Sequence, residues 1–190
     1  MILTVWIDRN RYHPESREEE NRLIRKVMEE LEYGDNASFI LDTGRAGESS
    51  YPDSTLTVSI NRSTGFGGAV WHVGENYPKQ GGIYDSVWVS DNPSPPDIDP
   101  KVLSDVHVPV FMAPASVITL ADLQSVIEEF CHAKTGDRPV CIQWVKGRIG
   151  GERAEGQYDL DPKSETSTRA ESLLGVLLAH GEAGDLPPGY

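Results

Sequence analysis

The chain has 190 residues, with few cysteines and few basic side chains. Its 2 cysteines, Cys131 and Cys141, form no C-x-x-C pair and stand beside no histidines at zinc-site spacing. Against 30 Asp and Glu there are only 17 Lys and Arg, which gives a net charge of −13. Proteins that bind nucleic acid backbones or anionic membranes need clustered Lys and Arg. The charge balance therefore argues against both functions, and it permits a basic protein partner or simple solubility.

Long hydrophobic runs are also missing. No segment approaches the roughly 20 apolar residues of a membrane-spanning helix. The apolar run at residues 2–7 is too short for a signal peptide and has no basic residues before it. Both observations predict a cytoplasmic protein with reduced thiols. Because a chain of this length can bury about 70% of its unfolded surface, it needs no metal or disulfide for stability.

Motifs for catalysis are equally scarce. The glycine-rich stretch at residues 65–68 lacks the Lys and the hydroxyl residue of a phosphate-binding P-loop. It lies between two predicted strands, where glycines are typical of a turn. The aspartates of the proline-rich segment at residues 91–117 do not have the spacing of a calcium-binding loop. We therefore predict no catalytic residues, no metal and no cofactor.

Hydropathy periodicity predicts most of the secondary structure. Apolar residues alternate with Thr and Ser over residues 54–60, which predicts a strand with one buried face. This strand and residues 67–73 are expected to form a hairpin. Apolar residues at helical spacing predict one helix between residues 13 and 34 and a second between 119 and 136. Further strands are predicted at residues 2–7, 37–42, 84–90 and 140–145.

The order of predicted elements is β-α-β-β-β-β-loop-α-β. It predicts an α+β fold, with a mostly antiparallel sheet and two main helices packed on one face. Six prolines argue against any regular element in residues 91–117. We expect one domain over residues 1–146. A Gly-rich polar tail follows at residues 147–190, with room for a short docking helix near residues 169–179.

One spacing leaves an alternative open. His72 and Glu75 form an H-x-x-E pattern at the end of a predicted strand. Side chains three residues apart on a regular strand point to opposite faces, so the pair converges only where the chain bends. The alternative hypothesis is a small-molecule-binding domain or an enzyme with a pocket near His72 and Glu75. An adaptor for some other basic protein is a third hypothesis.

Three stretches of the chain resemble the immunity protein 1 family of bacterial polymorphic toxin systems. They are residues 56–71 with their glycine turn, residues 87–93 with the proline-rich segment that follows, and residues 120–144 with the sequence Thr-Gly-Asp-Arg-Pro. Together they cover roughly residues 37–146. The resemblance implies an α+β inhibitor, not an enzyme, that is encoded beside a secreted toxin and blocks its active site. Toxins paired with this family are often zinc-dependent deaminases acting on nucleic acids.

The composition agrees with such a role. A nucleic-acid deaminase needs a basic groove for its substrate, and an acidic surface can occupy that groove and accelerate association. We predict a one-to-one complex with a basic cognate toxin domain, without nucleic acid or membrane partners. Prolines reduce the entropy lost on binding, so the proline-rich segment is the expected docking surface. The predicted charged contacts are Asp91, Asp97 and Asp99, and the predicted aromatic anchor is Trp88 or Tyr84.

Overall fold

The computed structural model describes residues 1–42, 52–105 and 109–154. Its helices are α1 (Arg17–Glu30) and α2 (Leu120–Ala133), with short 3₁₀ turns at Gly82–Asp85 and Pro114–Ser116. Its strands are β1 (Ile2–Ile7), β2 (Asn10–Tyr12), β3 (Asn36–Asp42), β4 (Ser54–Asn61), β5 (Phe66–Val73), β6 (Val87–Asp91), β7 (Leu103–Asp105), β8 (Val110–Phe111), β9 (Ile118–Thr119) and β10 (Gln143–Gly147).

The main sheet is antiparallel at every pairing. Its strand order is β10-β6-β5-β4-β3-β1-β2, with β9 paired to β5, while β7 and β8 form a separate two-stranded sheet. Strands that follow one another along the chain are mostly neighbours, because short turns join antiparallel strands readily. The predicted α+β class with a mostly antiparallel sheet is confirmed.

The β4–β5 hairpin lies in the middle of this sheet, where the sequence predicts it. Leu56 pairs with Trp71 and Val58 with Ala69, and all four are buried. Gly65, with a φ of 79°, supplies the positive φ that the turn needs, and its N–H donates to the carbonyl of Asn61 at 3.1 Å. The alternation of apolar and polar residues thus produces the expected buried face.

Both helices pack on one face of the sheet, as predicted. Helix α1 begins after Ser16, whose side chain accepts from the N–H of Glu19, and α2 begins after Thr119, which caps the N–H of Asp122. Their apolar sides form one core with a row of sheet residues. This core includes Ile24 and Val27 of α1, Leu123 and Phe130 of α2, and Val5, Phe39, Leu56 and Trp71 of the sheet.

The proline-rich segment packs on the opposite face of the sheet. Val102, Met112 and Val117 of this segment form a second core with sheet residues that include Val70 and Val89. The prediction that the segment contains no regular element is wrong, since β7, β8 and a 3₁₀ turn lie within it. The prolines fall outside both short strands, so their missing N–H groups disturb no strand pairing.

Residues 148–154 turn back on β10. The N–H of Arg148 donates to the carbonyl of Glu152 at 2.9 Å, and Gly147 pairs with Arg153. The predicted helix near residues 169–179 and most of the predicted tail lie outside the described residues, and the domain boundary at 146 stays a prediction. In the described ranges, neither helix has the length and apolarity needed to span a membrane.

Candidate interaction surface

The predicted contact residues lie in separate parts of the structure. Tyr84 and Trp88 lie beside the loop that follows α2. Asp91 ends β6 and contacts residue 153, and Asp97 and Asp99 lie before β7. The fold therefore brings Tyr84 together with Trp88, and Asp97 with Asp99, but it does not unite all of them in one surface.

Asp137 connects the loop after α2 to the aromatic residues around β5 and β6. Its carboxylate accepts hydrogen bonds from the hydroxyls of Tyr77 and Tyr84, at 3.0 Å each, and from the ammonium of Lys79 at 2.6 Å. Burial favours a raised pKa for Asp137, but the donors outweigh it and lower the pKa. The Tyr84 hydroxyl thus already has a partner within the chain.

The backbone of the same loop is bound to the sheet as well. The Gly136 carbonyl accepts from Ser54 Oγ at 2.6 Å and from Trp71 Nε1 at 3.3 Å. The Pro139 carbonyl accepts from Trp144 Nε1 at 2.8 Å. The Thr-Gly-Asp-Arg-Pro sequence therefore fastens the α2–β10 connection. The role of Asp137 is not predicted from the sequence, because its partners are distant in the chain.

Trp88 is half-buried and also has partners within the chain. Its Nε1 donates to the carbonyl of Ile83 at 2.7 Å, and the guanidinium of Arg138 lies over its ring. It packs against the main core beside Trp71, its neighbour across β5 and β6. Trp88 therefore contributes to the fold at this end of the sheet.

Asp91 forms an ion pair with Arg153. Arg153 Nη1 lies 2.7 Å from Asp91 Oδ1 and also donates to the carbonyl of Ala115 at 3.0 Å. The pair joins the end of β6 to the turn after β10, and both side chains are largely covered. The negative charge of Asp91 is thus balanced inside the molecule.

The segment that carries Asp97 and Asp99 is held at both ends. Asn92 donates from its side chain to the Val117 carbonyl at 2.8 Å, and Asn61 donates to the Pro100 carbonyl at 2.8 Å. Asp97 is exposed and makes no hydrogen bond or ion pair with the described part of the chain. Asp99 accepts from both the ammonium and the backbone N–H of Lys101, at 2.8 and 2.9 Å, and these bonds lower its pKa. The two ends of the segment are thus fixed by hydrogen bonds, and the acidic residues lie between them.

Residues from three segments of the chain meet around Lys101. Its carbonyl accepts from the Tyr33 hydroxyl at 3.0 Å, and its ammonium lies 5.7 Å from the centre of the Phe111 ring. Its ammonium pairs with Asp99, and Ile98 precedes Asp99 as an exposed side chain. We call this group the Lys101 surface: Tyr33, Ile98, Asp99, Lys101 and Phe111. Only Asp99 of this group is predicted from the sequence, since no local signal links residues 33, 101 and 111.

A cavity of about 350 Å³ adjoins the Lys101 surface. It is lined by Leu31, Tyr33, Asn61, Arg62 and Ser63. Tyr33 and Asn61 both hydrogen-bond to the Lys101 carbonyl, so the cavity and the surface are continuous. The cavity thus combines apolar lining from Leu31 and Tyr33 with polar lining from Asn61, Arg62 and Ser63.

The structure adds no support for a pocket at His72 and Glu75. Burial lowers the pKa of His72 on β5, whereas Glu75 is exposed beyond the strand. A second cavity, of about 270 Å³, lies between α1 and α2. It is lined by residues that include Arg17 and His132, but not by His72 or Glu75. Within residues 1–42, 52–105 and 109–154, no group of three or more His, Cys, Asp or Glu side chains is placed to hold a metal ion.

A family model described as immunity protein Imm1 matches residues 12–146. The matched range begins at the end of β2 and ends in β10, so it includes both helices and the proline-rich segment. Comparison with curated proteins and with solved structures finds no match.

Proposed function

The chain belongs to the Imm1 immunity protein family, and from this membership we propose that it binds and neutralises a cognate toxin domain encoded beside it. The match over residues 12–146 is the observation that carries the proposal. The protein acts by binding, in the cytoplasm, in a one-to-one complex, and it has no catalytic activity of its own.

The toxin is proposed to be a nucleic-acid deaminase with a basic substrate groove. Such an enzyme must neutralise the phosphates of its substrate, so its groove carries Lys and Arg. An inhibitor with a net charge of −13 is attracted to that groove over a long range. By covering the groove, the acidic surface of the inhibitor would keep the substrate from the active site.

Asp97 and Asp99 are the proposed charged contacts. They lie on a segment whose ends are held by Asn61 and Asn92, and Asp97 is exposed. Little conformational entropy is lost when such a segment meets its partner. Asp99 also has a partner, Lys101, but their ion pair is exposed, whereas the pair of Asp91 with Arg153 is largely covered. We expect Asp91, Tyr84 and Trp88, which have partners within the fold, to support binding only through the fold.

The function can be tested by co-expression with the toxin domain encoded next to this gene. The chain should restore growth, form a one-to-one complex in calorimetry and suppress deamination of single-stranded DNA by the purified toxin. Failure to restore growth and to bind would contradict the proposed function. If the toxin is neutralised but deaminates neither DNA nor RNA, the proposed immunity function would stand and a deaminase target would be excluded.

The acidic contact can be tested by charge reversal. The double variant Asp97→Lys/Asp99→Lys should bind the toxin about tenfold or more weakly at low salt, and its affinity should depend less on salt. The matched control, Glu15→Lys/Glu75→Lys, makes the same change in net charge at exposed positions elsewhere. Equal losses in both variants would indicate general attraction and not a contact through residues 97 and 99.

A further inference from the structure

We propose that the Lys101 surface is the energetic centre of the toxin interface and that the adjoining cavity receives an apolar side chain of the toxin, flanked by Lys or Arg. This inference rests on the proposed function and names the contact residues for it. The occupant is the basic toxin domain itself.

Three exposed apolar side chains belong to this surface: Tyr33 and Phe111 contact Lys101, and Ile98 is next to Asp99 in the chain. Ile98 is 82% exposed, Tyr33 54% and Phe111 44%. Tyr33 precedes β3, Ile98 lies in the proline-rich segment and Phe111 ends β8. Exposed apolar groups with a polar rim are typical of protein interfaces, and tyrosine is enriched among the residues that contribute most to binding.

The surface is held in shape before any partner binds. Lys101 has a φ of 51°, a left-handed conformation that costs a residue with a side chain about 1 kcal/mol. Hydrogen bonds from Tyr33 to Lys101, from Asn61 to Pro100 and from Asn36 to the Ser104 carbonyl hold this conformation. A surface that is already ordered loses less entropy on association, so its contacts contribute more to affinity.

The adjoining cavity suits one inserted side chain. Its volume of about 350 Å³ is at the small end of the range for ligand pockets. Leu31 contributes apolar lining, while the Arg62 guanidinium donates to the carbonyl of Leu31 at the end of α1. Bonds to the carbonyls of Met28 and Leu31 hold the Arg62 guanidinium at the end of α1, where its charge has no carboxylate partner among the described residues.

The charges around the surface favour a basic partner. Lys101 is paired with Asp99, so its own charge is balanced. Asp97 and Glu32 are exposed, and they directly precede Ile98 and Tyr33 in the chain. As exposed neighbours of the apolar residues in the chain, these carboxylates would meet Lys or Arg of the toxin.

A second exposed apolar patch is a poorer candidate for the same partner. Trp6 and Ile2 are exposed on β1, but the guanidinium of Arg11 lies 5.7 Å from the centre of the Trp6 ring. Arg9 is exposed in the adjoining turn. The Lys101 surface and its cavity also carry cations, but Lys101 is paired with Asp99. The exposed Asp97 has no partner in the described chain, so charge complementarity favours the Lys101 surface over the patch with Arg9 and Arg11.

The test compares exposed apolar residues of the Lys101 surface with exposed apolar residues elsewhere. Ile98→Ala and Phe111→Ala are measured against Val140→Ala and Ile149→Ala, whose parent side chains are 84% and 68% exposed but lie elsewhere. Binding to the purified toxin domain is measured by calorimetry, and folding by the melting temperature. We expect Ile98→Ala and Phe111→Ala each to weaken binding about tenfold, and both controls to stay within twofold of the wild type.

Hydrogen exchange on the wild-type complex provides a readout that needs no variant. Toxin binding should slow exchange in residues 31–36 and 94–104, and leave residues 1–12 unchanged. Protection confined to residues 1–12, or binding by Ile98→Ala and Phe111→Ala within twofold of the wild type, would overturn this inference while the proposed function stands. A wild-type chain that neither binds nor neutralises the toxin would instead overturn the proposed function.

Discussion

The guanidinium of Arg138 lies over the indole ring of Trp88, with its central carbon 4.0 Å from the ring centre. Arg138 Nε and Nη1 are buried and have no hydrogen-bond acceptor within the described part of the chain. The stacking on Trp88 is therefore the main contact of this charge. The Trp88 ring thus supports the loop after α2, which explains why it is half-buried.

Replacing Trp88 should destabilise the fold. Trp88→Ala should lower the free energy of unfolding by about 2–3 kcal/mol, because it removes the buried ring, the stacking and the bond to Ile83. Arg138→Met should cost less than about 1 kcal/mol, since it keeps the apolar stem and removes two unpaired buried nitrogens. Urea unfolding measures both. A loss in Arg138→Met as large as that in Trp88→Ala would contradict this account.

The pKa of Asp137 makes its contribution to stability depend on pH. A carboxylate whose pKa is lowered by folding stabilises the folded state above its unfolded pKa of about 4, and this contribution is lost as the pH falls through the folded value. Asp137→Asn should therefore unfold at lower urea than the wild type at pH 7, with the difference shrinking below about pH 4. Asp97→Asn is the control, because Asp97 has no partner in the described chain. A difference that stays constant from pH 7 to pH 3 would rule out this role of Asp137.

Glu20 and Lys134 form an ion pair with one buried member. Glu20 is 1% exposed, and the Lys134 ammonium is 2.5 Å from its Oε1. Neither carboxylate oxygen makes a well-directed hydrogen bond in the described chain, so the Lys134 charge is its main compensation. Lys134→Met should cost about 2–4 kcal/mol of stability, whereas Glu20→Met should be nearly neutral.

The double variant Glu20→Met/Lys134→Met provides the check on this pair. It should recover most of the stability that Lys134→Met loses, as measured by thermal or urea unfolding, because no buried charge remains. Additive losses in the double variant would show that the two side chains do not interact.

Two neighbouring glycines of β5 should tolerate alanine differently. A Cβ on Gly67 would lie 2.7 Å from the backbone oxygen of Ser59 and 2.6 Å from Leu123 Cδ2. A Cβ on Gly68 would lie 2.2 Å from Met112 Sδ, near the end of a side chain that can adopt other rotamers. Gly67→Ala should therefore cost about 2–3 kcal/mol, more than Gly68→Ala. Urea unfolding of the two variants tests the order, and the reverse order would contradict it.

Helices and strands that have a periodic or capping pattern in nearby residues could be predicted from the sequence. Those without such a pattern could not. The β4–β5 hairpin and both helices follow from residues a few positions apart, through alternation, helical spacing and capping. The strands β2 and β9 are only 3 and 2 residues long, too short to show a period. The strands β7 and β8 lie among prolines whose local preference predicts a loop, and they form because residues 102, 112 and 117 cover the second face of the sheet.

In the candidate surface, too, some features could be predicted from the sequence and others could not. The exposure of Asp97 agrees with the sequence, since Pro95, Pro96 and Pro100 place it in an irregular segment. The partners of Tyr84 and Asp91 are 53 and 62 residues away along the chain, so no spacing rule could find them. The same holds for Tyr33 and Lys101, which are 68 residues apart and meet at the Lys101 surface.

By itself, the sequence determined the acidic charge, the α+β class, the helices and central hairpin, and the resemblance to immunity proteins. These properties depend on composition and on residues close together in the chain. Only the tertiary structure decided which acidic and aromatic residues are engaged within the molecule and which remain exposed. The reason is that the partners of a charged or aromatic side chain come from distant segments of the chain. Which segments lie beside it depends on the packing of the whole sheet and its two cores.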